Sequence, residues 1–146
     1  GIHGMIGGQV VDVKESGHSI SADMLDFIYR LKTGALIESS VMIGAVLAGA
    51  SEKEALQVES VAAKVGMAFQ IQDDILDVTS TTEILGKPVH SDEKNEKTTY
   101  VTLTGTDESG REVERLTTEA LGELKELGRE NEFLNKLLEW LVYREK

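Results

Sequence analysis

The chain has 146 residues, with 15 basic against 26 acidic side chains and a formal net charge of −11. That balance excludes a general nucleic-acid binder, which needs a basic surface, and the lack of cysteine excludes disulfide frames and thiolate chemistry. Length and a 40% hydrophobic content suit one domain with a real core, and the longest apolar run, residues 41–50, is too short to span a bilayer.

No basic segment precedes that run, so it does not read as a signal peptide, and the expectation is a soluble, cytoplasmic protein. Gly1-Ile2-His3-Gly4-Met5 runs straight into helical periodicity, so the chain is expected to be a piece of something longer. Residues 2–14 carry Ile2, Met5, Ile6, Val10 and Val13 at near-helical spacing, with Gly4, Gly7 and Gly8 among them. A glycine inside a helix costs about 1 kcal/mol relative to alanine, so these are tolerable where another helix or a ligand comes close. Gln9 and Asp12 stand where they could face that approach; a helix end with packing glycines is the plainer alternative.

Residues 14–20 read as a loop, and Ser21 as an N-cap with Asp23 in the first turn. A helix then runs through Leu25, Ile28, Tyr29 and Leu31 to Lys32-Thr33-Gly34, and the apolar run resumes at once to about residue 48. Gly34 therefore marks a kink in one helix or a break between two. A kink frees backbone carbonyls beside Lys32 and Thr33.

Ser51-Glu52-Lys53-Glu54 fits a capping box and opens a long helix over 52–78. From Val61 the helix is apolar on nearly all sides, which predicts a central, buried position. Its C-terminal end reads Phe69-Gln70-Ile71-Gln72-Asp73-Asp74-Ile75-Leu76-Asp77. Helical spacing sets the three acids within a turn of each other, with Gln70 one turn earlier. Like charges this close repel, and the helix dipole is negative at that end. A cation would resolve the conflict, and oxygen ligands without His or Cys favour a hard ion such as Mg²⁺. In isolation the cluster could be a calcium site or a solvated helix end, and the buried character of the helix favours a metal site.

Residues 79–97 are polar and irregular, either a plain surface loop or a lid bringing Lys87 and Lys97 onto an anion held by the metal. Thr98-Thr99-Tyr100 start a short helix ending near Gly105. Thr106 or Asp107 caps an amphipathic helix that Gly128 stops, and Asn131 caps a last one. Trp140 and Tyr143 read as packing, and His3, His18 and His90 lack metal-ligand spacing. Nothing alternates with a strand period, so the fold class is all-α.

Five stretches together resemble the trans-isoprenyl diphosphate synthase family. They are Gly4-Met5-Ile6-Gly7-Gly8-Gln9, Lys32-Thr33-Gly34-Ala35-Leu36, the 69–77 run, Leu85-Gly86-Lys87-Pro88 and Lys97-Thr98-Thr99-Tyr100. The resemblance covers residues 1–105 in the family's order; the last forty residues match only as helices. It implies the C-terminal portion of an isoprenoid-synthase helical bundle, with 1–146 part of one domain whose N-terminal half is absent. It also implies condensation of an allylic diphosphate (dimethylallyl or geranyl diphosphate) with isopentenyl diphosphate to give farnesyl or geranylgeranyl diphosphate.

By that similarity Asp73, Asp74 and Asp77 hold Mg²⁺ as the second aspartate-rich motif, and Lys32, Lys87 and Lys97 contact the diphosphate. The Thr33 hydroxyl, the Gln70 amide and a carbonyl near Lys32 stabilise a developing allylic cation. The first aspartate-rich motif and the residues that bind isopentenyl diphosphate belong to the absent half, so 1–146 alone is expected to be inactive. His90 stands where the family usually has glycine. The implied assembly is a homodimer, and a half-bundle is expected to self-associate through apolar faces meant for other helices. The alternative is a non-catalytic regulatory or interaction subunit of a heteromeric synthase.

Overall fold

The computed structural model describes residues 1–80, 97–128 and 131–143, and among them no strand occurs. Helix α1 spans Met5–Glu15, α2 Ala22–Tyr29, α3 Ala35–Leu47 and α4 Glu52–Thr79. After residues 81–96 come α5 (Tyr100–Thr104), α6 (Thr106–Glu126) and α7 (Glu132–Tyr143). No helix of the described residues is long and apolar enough to cross a membrane. The all-α expectation holds, and most element ends fall within a residue or two of their sequence signals.

Those signals act through hydrogen bonds. The Ser21 hydroxyl accepts from the Met24 N–H at 3.3 Å and opens α2. Ser51 and Glu54 form the full capping box of α4: the Ser51 hydroxyl accepts from the Glu54 N–H, and the Glu54 carboxylate accepts from the Ser51 N–H. The Asn131 side chain accepts from the Leu134 N–H at 3.0 Å and opens α7. Two boundaries differ from expectation. Helix α1 continues into the expected loop as far as Glu15. Helix α6 begins after Gly105, not at a Thr106 or Asp107 cap, because the positive φ of 85° at Gly105 turns the chain directly from α5 into α6.

The 28-residue α4 is the axis of the bundle. No residue from 61 to 78 is exposed. Val61, Val65, Ala68 and Ile71 of α4 form the core with Leu25 and Ile28 of α2, and with Val113, Leu116, Ala120 and Leu124 of α6. Leu138 and Val142 of α7 close it. The α6 set recurs at three- and four-residue steps, the single stripe expected of an amphipathic helix packed on one side. Burial of the valine, leucine and isoleucine side chains contributes roughly 1.5–3 kcal/mol each.

Between α2 and α3 the helical backbone continues without a break. Arg30–Gly34 forms one π-helical turn, in which the Ala35 N–H reaches back to the Arg30 carbonyl. Such widened turns recur at functional sites because they re-aim side chains without interrupting the helix. This one is gripped from two sides. A Cβ on Gly8 of α1 would lie 2.5 Å from the Lys32 nitrogen, and a Cβ on Gly66 of α4 would lie 2.9 Å from the Gly34 Cα. Two helices thus meet the turn backbone to backbone, which explains both glycines and fixes where Lys32 and Thr33 begin.

Helices α1 and α3 bury little. Gly8 is the one buried residue of α1, and α3 has none. Ile6, Val10 and Val13 of α1 and Leu36, Ile43, Val46 and Leu47 of α3 are more than half exposed. These are the uncovered apolar faces anticipated from the sequence.

Candidate functional site

The π turn, the C-terminal end of α1 with the loop after it, α2, the C-terminal part of α4 and the segment leading into α5 surround a pocket of about 230 Å³. Asp12, Lys32, Gln70, Asp73, Asp74 and Lys97 are on its walls. Residues distant in sequence are therefore brought together, and five of them are expected site residues. The Ile20 N–H donates to the Thr98 hydroxyl at 3.2 Å and ties the loop after α1 to the segment carrying Lys97.

Two subsites are distinct. On one wall Lys32 and Lys97 converge. The Lys32 Nζ donates to Asp12 Oδ2 at 2.8 Å, and the Lys97 Nζ lies 3.1 Å from the same oxygen and 3.2 Å from Oδ1. Burial pushes the Asp12 carboxyl up, but hydrogen bonds and charge from Lys32 and Lys97 outweigh it and hold it below the usual carboxylate range. The second subsite is the acid cluster. Asp74 is 4% exposed, and its Oδ2 accepts from the Tyr29 hydroxyl and, at 2.9 Å, from the Tyr100 N–H. Helices α2 and α5 thereby fix the carboxylate that α4 supplies. Asp73 shares the pocket wall and is half-buried.

Asp77 is 2% exposed and does not line the pocket. The three acids are thus not equivalent, although their spacing made them look so. Among the described residues no group of three or more His, Cys, Asp or Glu side chains is disposed to hold a metal. The pocket offers a pair of carboxylates, Asp73 and Asp74. That pair fits Mg²⁺, which binds through one or two carboxylates and completes its shell with water and phosphate oxygens.

The Thr33 hydroxyl donates to the Oε1 of pocket-lining Gln70 at 2.9 Å, while Thr33 itself does not line the pocket. This contact joins the π turn to α4 and fixes which way the Gln70 amide points. Lys87 and His90 lie outside the described residues, as does most of the expected lid. Among the other pocket residues, Tyr29 and His18 carry no site role in the sequence reading, and Asp12 is placed there only where a helix or ligand could come close. The Gly8 and Asp12 spacing of four was the available signal for Asp12, since it puts the acid on the glycine face. Tyr29 looked like ordinary core.

The family model for polyprenyl synthetase matches residues 1–138. The chain belongs to the polyprenyl synthetase family. It is 39% identical over its whole length to a farnesyl diphosphate synthase of Escherichia coli, covering 50% of that protein. It is 44% identical to a geranylgeranyl diphosphate synthase of Cyanophora paradoxa, over 83% of this chain and 41% of that one. Among solved structures, it resembles a Helicobacter pylori geranyltransferase complexed with magnesium and isoprenyl diphosphate. The TM-score is 0.81 at 33% identity, over 97% of this chain and 46% of that one. The chain thus spans about half the length of the relatives it matches.

Proposed function

We propose that the protein containing this chain is a Mg²⁺-dependent prenyltransferase. It condenses an allylic diphosphate with isopentenyl diphosphate to give farnesyl or geranylgeranyl diphosphate and releases diphosphate. The observation that carries this reading is that Lys32 and Lys97, which converge on Asp12, line the same pocket as Asp73 and Asp74. Lysines and carboxylates lining one pocket are the donor set for a diphosphate and a hard cation taken together. The family, and relatives named as farnesyl and geranylgeranyl diphosphate synthases, support it.

In this reading Lys32 and Lys97 hold phosphate oxygens of the allylic substrate. Their charge stabilises the diphosphate as the allylic C–O bond lengthens, because negative charge on the leaving group grows as that bond breaks. Bound Mg²⁺ would supply further neutralisation of that charge, held by Asp73 and Asp74. Thr33 and Gln70, already joined by a hydrogen bond, turn oxygen lone pairs toward the electron-poor allylic carbon. The isopentenyl double bond then supplies the electron pair for the new carbon–carbon bond, and a proton leaves the isopentenyl unit. Lys87 belongs to the same diphosphate contact by resemblance.

Asp77, buried one turn beyond Asp73, is the third acid that the resemblance assigns to Mg²⁺. The working assembly is a homodimer in the cytoplasm, and residues 1–146 alone are inactive, with one acid cluster available. The relatives are named as synthases, so nothing favours a non-catalytic subunit. The test is condensation of labelled isopentenyl diphosphate. The full-length protein should turn over with Mg²⁺, 1–146 alone should not, and Asp73→Ala in the full-length protein should lower kcat by about two to three orders of magnitude. A near-normal rate for Asp73→Ala would remove the metal role.

A further inference from the structure

Lys32 stands 20 positions from Asp12 in sequence and Lys97 stands 85, yet both ammonium groups meet the same Asp12 oxygen, Oδ2. Two ammonium groups drawn to one wall of a half-buried pocket repel each other. Lysine is long and flexible, and an unrestrained pair would separate toward solvent. The Asp12 carboxylate removes both problems. Its side chain is 15% exposed, and it sits between the two cations.

Its position is set by the backbone. Gly8 and Asp12 are four apart, hence on one face of α1. Gly8 brings that face into contact with the Lys32 backbone, leaving no room for a Cβ. Asp12 therefore reaches the two lysines from a rigid support. An ammonium has three N–H donors, so a lysine held by Asp12 keeps donors for a second anion.

We propose that Asp12 is a positioning residue: its carboxylate latches Lys32 and Lys97 side by side before substrate arrives, so that a diphosphate meets a preassembled pair of ammonium groups. This rests on the diphosphate reading above and adds to it a residue that is neither a metal ligand nor a phosphate contact. Preorganisation lowers the ordering cost of binding.

The sign of the effect makes the test sharp. Removing a negative charge from an anion pocket should tighten anion binding if charge alone mattered; the latch requires the opposite. Binding of inorganic pyrophosphate is measured by calorimetry at low salt with saturating Mg²⁺, for the full-length protein and for Asp12→Asn, Asp12→Glu, Lys32→Met and Lys97→Met. We expect Asp12→Asn to bind about tenfold more weakly and Asp12→Glu to recover most of the loss. Equal or tighter binding by Asp12→Asn, with the lysine variants weakened, overturns the latch and leaves the diphosphate reading standing. Unchanged binding by the lysine variants, or none by the unsubstituted chain, overturns the reading and the latch together.

If Asp12→Asn does not fold, lysine-ammonium nitrogen NMR of the unsubstituted chain decides. Slowly exchanging signals for both Lys32 and Lys97, each displaced by pyrophosphate, are expected. Fast-exchanging, solvent-like signals for either overturn the latch.

Discussion

The Tyr29 hydroxyl donates to the Asp74 carboxylate across 45 positions of sequence. Both side chains are buried, and the Tyr100 N–H donates to the same oxygen. A core aromatic thus also orients a pocket acid. Tyr29→Phe takes one of these donors from a buried carboxylate while keeping the ring. It should cost about 1–3 kcal/mol of stability, read by urea unfolding. A loss below 0.5 kcal/mol, on the order of measurement error, would mean the hydroxyl does not hold Asp74.

Glycines should divide into two groups by what surrounds them. Gly8→Ala and Gly66→Ala each press a methyl against backbone, at Lys32 and at Gly34 respectively. Each should cost about 1–3 kcal/mol through overpacking. Gly122 of α6 has nothing within 4 Å of its absent Cβ, so Gly122→Ala should stabilise the protein by about 0.5–1 kcal/mol through helix propensity. Thermal unfolding of the three variants checks this, and the opposite ordering would contradict the close approach of α1 and α4 to the π turn.

On the far side of α2, burial and then the charges of Asp23 and Glu112 push the Asp26 carboxyl above its ordinary value of 3.8. A raised acid prefers its proton in the folded state. Its ionisation therefore weakens the fold at neutral pH, and the penalty fades as pH falls through the folded pKa to the ordinary value. Asp26→Asn should raise Tm at pH 7, with the advantage disappearing near pH 3. An advantage that persisted unchanged at pH 3 would point to a cause other than charge.

The exposed apolar faces of α1 and α3 predict the behaviour of 1–146 as an isolated chain. Ile6, Val10 and Val13 are 53, 59 and 64% exposed along one helix, and Leu47 of α3 is 82% exposed. Contiguous apolar surface of this kind drives association. Light scattering should report concentration-dependent oligomers, and Val10→Lys with Leu47→Lys should reduce them. A clean monomer at high concentration would contradict the prediction.

Much was legible without coordinates, because it depends on local chemistry. The caps at Ser21, Ser51 and Asn131 each supply an acceptor to N–H groups three residues on, and the burial of α4 follows from apolar residues on every side. Helical spacing also marked the acids at 73, 74 and 77, and the resemblance to the trans-isoprenyl diphosphate synthases marked Lys32, Thr33, Gln70 and Lys97. Tertiary structure alone decided which of them meet. Periodicity says which face of a helix a residue occupies, not what stands opposite. Hence it could not separate pocket-facing Asp73 from buried Asp77, or pair Tyr29 with Asp74. Nor could it resolve Gly34: a break and a continuous π turn share one sequence pattern, and the π turn is the place where Gly8 and Gly66 admit two neighbouring helices. Asp12 shows the same division. Its place on the glycine face of α1 was in the sequence, whereas its grip on two distant lysines exists only once α1, the π turn and the approach to α5 are folded together.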